Sequence, residues 1–163
     1  EQEQEIVSDL VLMLVTVCVI NGFTYEDIIG RYTIRETECV QKLAALDRLK
    51  LIELLPNNRI KLLIAPNFSW LPNGPIQKFL REKVEKEFFS STFSKENEND
   101  IVLNGLRSKA GNAEFQKKMR RLANEFTELV QADFGLPHNQ RDGISVILAI
   151  REWQYSFYEG IRR

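Results

Sequence analysis

Leu51-Ile52-Glu53-Leu54-Leu55, then Pro56-Asn57-Asn58, then Arg59-Ile60-Lys61-Leu62-Leu63-Ile64 is the stretch on which the fold turns. Two apolar runs of strand length flank a Pro-Asn-Asn turn, the pattern of a β-hairpin. Upstream, Cys39, Val40, Leu43, Leu46 and Leu49 recur at three- and four-residue steps, a helix period. Thr33 and Glu36 have the spacing of a capping box for that helix. Before it, Thr24 opens a short helix, Tyr25–Arg31, with Glu26 and Asp27 in its acidic first turn. Residues 5–21 read as one helix, apolar nearly all round and therefore buried, stopped by Asn21-Gly22 with Gly22 as a left-handed cap. Three helices and a hairpin within residues 1–66 is the order of a winged helix-turn-helix domain.

Downstream, Pro66–Gly74 reads as a packed connector anchored by Phe68, Trp70 and Leu71. Pro75 suits the first position of a helix whose stripe is Ile76, Phe79, Leu80, Val84 and Phe88. Ser90–Asp100 is a polar loop, and 101–106 reads as a strand. Asn112 is expected to cap a long helix to about Asp133, with stripe Phe115, Met119, Leu122, Phe126, Leu129 and Val130. Gly135–Gly143 is a second loop, Ile144–Ile150 a β-branched strand, and Trp153–Tyr158 an aromatic tail. The expected class is α+β, mostly helical. A winged-helix-like part, residues 1–66, precedes a helix–strand–helix–strand module, residues 67–163.

Composition narrows the function. The 163 residues are 44% hydrophobic and 28% charged, with a net charge of -1, which excludes general disorder and a strongly basic nucleic-acid-coating protein. Cys18 and Cys39 stand in no metal or redox spacing, so both read as core thiols in a reducing cytoplasm. The apolar run Ile6–Ile20 is 15 residues long and contains Asp9, too short for a membrane span of roughly 18–20 residues. The first residues, Glu1-Gln2-Glu3-Gln4, lack an initiator Met, as expected of a fragment or processed form. Gly105 and Gly111 lack the spacing and the lysine of a phosphate loop, and the acidic residues show no metal-ligand pattern. The only histidine, His138, has no neighbouring nucleophile and no acid arranged to orient it, so it reads as a loop residue. No catalytic, cofactor-binding or metal-binding residue is expected, and the chain is not expected to be an enzyme.

For DNA, the residues in position to touch the duplex are Arg35, Gln41 and Lys42 on the third helix and Arg59 and Lys61 on the wing. Residues 1–66 hold seven basic and ten acidic residues, a net of -3, and Glu36 and Glu38 begin the third helix. Since phosphate contacts dominate affinity, such a domain is a poor reader and better suited to packing or dimerisation. Residues 67–163 carry a net of +2, with Lys117, Lys118, Arg120 and Arg121 clustered on the long helix, most simply a solvated face.

The segments Leu46-Asp47-Arg48-Leu49, Leu51–Pro56, Asn58-Arg59-Ile60, Phe68-Ser69-Trp70-Leu71-Pro72, Gly74-Pro75-Ile76-Gln77, Leu103-Asn104-Gly105, Met119–Ala123 and Glu125-Phe126 resemble a group of bacterial Cro/CI-type (XRE) helix-turn-helix regulators. In that group a five-helix DNA-binding domain precedes a region like this one. The resemblance therefore implies the non-enzymatic C-terminal regulatory or oligomerisation part of a transcriptional regulator. Its DNA would be bound through a domain this chain lacks, and none of that domain's reading residues has a position here. Two alternatives stand beside it: direct DNA binding by helix 34–49 and the wing 56–61, and a small-molecule-sensing effector domain with an apolar pocket beside the connector. A cytoplasmic homodimer is expected. Helix 5–21 has more apolar faces than a small domain covers, and Val11, Val15 and Val19 form the stripe assigned to the second copy.

Overall fold

The computed structural model describes residues 1–65, 68–152 and 156–161. Its class is α+β, mostly helical, with a two-stranded antiparallel sheet. The apolar run near the start is two helices: α1, Gln2–Val7, and α2, Leu10–Ile20. Asp9 makes the break. Its carboxylate accepts from the Leu12 N–H at 3.0 Å, so it serves as the N-cap of α2. Gly22 follows α2 at φ +81°, the left-handed conformation expected of it.

Helix α3, Tyr25–Arg31, carries the true capping box. The Thr24 hydroxyl accepts from Asp27 N–H at 3.1 Å, and the Asp27 carboxylate accepts from Thr24 N–H at 2.9 Å. Helix α4, Glu36–Arg48, has its N-cap two residues later than expected: Arg35 takes the position, with no side-chain bond to the first turn. Thr33 is too far from the helix start for the expected box with Glu36 to close.

Strands β1, Ile52–Leu55, and β2, Arg59–Leu62, form the hairpin in the expected place, with Leu54 opposite Ile60. Asn57 and Asn58 take φ values of 61° and 56°, a region Asn tolerates better than most residues. The Asp47 carboxylate accepts from Leu54 N–H at 2.8 Å and ties α4 to β1.

Ile28, Leu43, Leu46, Ile52 and Val15 form the centre of the core, each with no exposed surface. Cys18 and Cys39 are buried free thiols in it. Val15 and Val19 are inside this same core and Val11 packs partly against it, so the stripe expected to face a second copy is covered by its own chain, where α4 and β2 lie against α2. Leu10 and Val17 are the residues of α2 left outside. An all-apolar helix has no periodic mark of which face turns inward, which is why its sequence assigned the buried stripe to a second copy.

The packed unit also extends past residue 66. Helix α5, Pro75–Phe79, runs through a π turn, Leu80–Val84, into α6, Glu85–Phe88. It lies on α1, with Ile76 fully buried. The buried Glu3 carboxylate fastens this joint, accepting from Leu71 N–H at 2.7 Å and from Ile76 N–H at 3.4 Å. Gly74 must stay small here, because a Cβ would collide with the Glu3 carboxylate and Leu71.

The second half departs from its expected sheet. Residues 101–106 and 144–150 form no strand, and the β1–β2 hairpin is the only ladder among the described residues. β-Branched residues favour strand geometry, but a strand exists only where a partner closes hydrogen bonds, and these two segments do not pair. The long helix α7, Lys109–Ala132, begins at an N-cap of Ser108, whose hydroxyl accepts from Gly111 N–H at 3.0 Å, and not at Asn112. None of its residues is buried. Of the aromatic tail, 153–155 lie outside the described residues, and Ser156–Ile161 is a 3-10 run. Among the described residues no helix is long and apolar enough to cross a membrane.

Candidate functional site

The five residues placed against DNA by sequence fare differently. Arg35 stands at the N-terminus of α4 with its side chain 85% exposed, 3.8 Å from Glu38. Gln41 is exposed on the same helix. Lys42 is not available to a phosphate in the same way: its Nζ lies 2.6 Å from the Asp9 carboxylate and only 21% of its side chain is exposed. That ammonium, followed by the Leu12 N–H, holds the Asp9 carboxyl below its ordinary value of 3.8. Lys42 thus clamps α4 to the start of α2. On the hairpin, Lys61 reaches Glu53 at 2.9 Å across the strand pair, and Arg59 donates back to the Pro56 carbonyl at 3.4 Å. Arg48 pairs with Glu5. The basic side chains of this face are therefore largely answered by carboxylates of the same chain.

A second locus escaped the sequence. The loop after α7 returns to the corner between α2 and α3. His138 Nδ1 lies 2.7 Å from Asp27 Oδ1, so an acid does orient the histidine, contrary to the sequence reading. Asp27 and His138 are 111 positions apart, and nothing local marks the pair. Asp27 divides its two oxygens, Oδ2 to the Thr24 cap and Oδ1 to His138. The Arg141 guanidinium donates to the Asn21 carbonyl at 3.2 Å and lies 5.7 Å over the Phe134 ring. Its Nε is buried with no hydrogen-bond partner among the described residues. Phe134 in turn covers Gly22, where a Cβ would come within 2.7 Å of the ring.

Between these elements is an open cleft of about 410 Å³, lined by Glu26, Asp27, Arg31, His138, Arg141 and Asp142 among others. Its lining is polar and lies away from the connector, where the apolar sensing pocket was expected. The cleft brings the Asp27–His138 pair together with the Arg31 and Arg141 side chains. Both cysteines are buried in the core and neither lines the cleft. Burial raises each thiol above the ordinary 9.0, against a weaker opposing hydrogen bond from Tyr32 at Cys18. No group of three or more His, Cys, Asp or Glu among the described residues is placed to hold a metal.

The third locus is the surface of α7. Phe115, Leu122 and Leu129 are 45%, 53% and 66% exposed along one side of it. Ile101, Val102, Leu103, Leu106 and the alternate residues Ile144, Val146, Leu148 and Ile150 are exposed as well. Beside this stripe the helix carries Lys117–Glu114 and Arg121–Glu125 pairs at 3.9 and 3.0 Å. Comparison of the chain with family models, with curated proteins and with solved structures finds no match.

Proposed function

We propose that this chain is a non-enzymatic regulatory and oligomerisation module of a bacterial transcriptional regulator, with a winged-helix-like packing unit at its start. The observation that carries the reading is the contrast between the buried core before residue 89 and the many exposed apolar side chains of α7, 101–106 and 144–150 after it. Exposed apolar patches of that kind mark interaction surfaces. The resemblance to Cro/CI-type regulators supports the regulatory context, and the clamped Lys42 together with the net charge of -3 over residues 1–66 argues against duplex reading by this chain alone.

Two measurements on the purified chain test it. Sedimentation at tens of micromolar should give a mass well above 19.0 kDa; a strict monomer would sink the oligomerisation reading. Fluorescence anisotropy at low salt should show no sequence-dependent duplex binding. Submicromolar binding lost on Arg35→Ala or Gln41→Ala would replace the proposal with a DNA-binding winged helix.

A second reading, small-molecule sensing, is favoured by the polar cleft and the unpartnered Nε of Arg141. A thermal shift with small carboxylate or phosphate compounds that disappears in Arg141→Ala would support it.

A further inference from the structure

We infer that the apolar seam of α7 packs antiparallel against α7 of a second copy of this chain. This rests on the oligomerisation reading above and names its surface. Phe115, Met119, Leu122, Phe126 and Leu129 are separated by steps of four, three, four and three, the spacing of a helix pair seam. Met119 and Phe126 then occupy one core row, and Phe115, Leu122 and Leu129 the other. Between Phe115 and Leu129 the helix rises about 21 Å, enough for several interlocked layers.

The flanking residues decide direction. Lys118 and Glu125 border the Phe115, Leu122 and Leu129 row, whereas Gln116, Ala123 and Val130 border the Met119 and Phe126 row. In a parallel pair the two borders face each other. Lys118 would then lie against Ala123 of the second copy and Glu125 against Val130, leaving both charges unanswered. In an antiparallel pair like borders face each other. Lys118 then meets Glu125 of the second copy, and the two-fold axis repeats the pair. The same register sets Met119 on Leu122 at the centre and Phe115 on Phe126 outside it. The seam is thus complementary to itself in one direction only.

The local geometry leaves both partners ready. Arg121 engages Oε1 of Glu125 from within the helix, and the other carboxylate oxygen is left for Lys118 of the second copy. Lys118 forms no ion pair among the described residues. Glu114, Glu125 and Glu128 interrupt the basic residues of the helix, a poor pattern for an anionic membrane surface and a good one for another copy of itself.

Charge reversal tests the pairing in the full chain by sedimentation equilibrium. Lys118→Glu and Glu125→Lys should each weaken the dimer by about tenfold, and the double variant should recover wild-type association. Leu122→Asp, at the centre of the seam, should weaken it by about a hundredfold or more. Native protection of Cys18 and Cys39 from thiol reagents should be unchanged in all four, which shows that the core remains folded. A dimer indifferent to every variant leaves the oligomerisation reading standing and overturns this interface. Failure of the double variant to recover overturns the antiparallel register. A wild-type monomer, whether or not it binds phosphatidylglycerol vesicles, overturns both.

Discussion

Helices α4 and α7 announce themselves in the same way, by apolar residues at three- and four-residue steps, yet the protein treats them oppositely. The 13 residues of α4 include Cys39, Leu43 and Leu46, all fully buried. The 24 residues of α7 bury none. Periodicity says that a helix has an inner face. It does not say which molecule or element supplies the cover. For α4 the cover is local: α2 and α3 precede it, and β1 follows after three residues. For α7 the neighbours in sequence are segments without strand or α-helix, and among the described residues none of its side chains is buried.

The contrast breaks first at the core. Leu46→Ala should cost about 2–5 kcal/mol of unfolding free energy, because it removes a fully buried side chain and leaves a cavity. Under dilute conditions Leu122→Ala should stay within about 0.5 kcal/mol, since its side chain is half exposed. Urea unfolding of the two variants compares them directly. Equal losses would mean that α7 is covered within its own chain.

The joint with α5 comes next. Glu3→Ala leaves the Leu71 and Ile76 N–H groups without their carboxylate partner and should cost about 1–3 kcal/mol. Glu3→Gln should recover part of that, because its amide oxygen still accepts. A neutral Glu3→Ala would detach α5 from the packed unit and restore a boundary near residue 66.

The smallest effect belongs to Asp9. As cap and ion-pair partner, Asp9→Asn should cost about 1 kcal/mol near neutral pH. Its folded carboxyl titrates below the ordinary 3.8, so its contribution is complete above that value and disappears as acid carries the pH through the folded pKa. The difference between wild type and Asp9→Asn should therefore close below about pH 4 in acid-unfolding curves. A gap that stays constant down to the lowest pH would show that Lys42 does not hold the carboxyl.

How much of this was readable from sequence follows the range of each interaction. The hairpin, the end of α2 at Gly22 and the start of α5 at Pro75 were legible, because backbone preferences of Pro, Asn and Gly act on the spot. Asp9 was seen only as an argument against a membrane span, although the same carboxylate divides the apolar run in two. The sequence points to a box at Thr33 and Glu36, whereas the box that closes is Thr24 with Asp27, because the helix that follows starts at Glu36 with Arg35 as its N-cap. Residues 101–106 and 144–150 have strand-forming composition, but pairing is not local and composition cannot provide it. The Asp27–His138 contact was invisible for the same reason. It is made by chain segments more than a hundred residues apart.

Gly22 has a consequence for how sequence variation should be distributed. The position is closed twice over, by a φ of +81° and by the Phe134 ring standing 2.7 Å from where a Cβ would be. A homologue that introduces a side chain at 22 must therefore change residue 134 as well, to something smaller than Phe. With Phe134 goes the platform on which the Arg141 guanidinium rests. Positions 22, 134 and 141 should accordingly vary as a set among relatives. The glycine that ends α2 would then serve in an alignment as a marker of whether the returning loop docks at all.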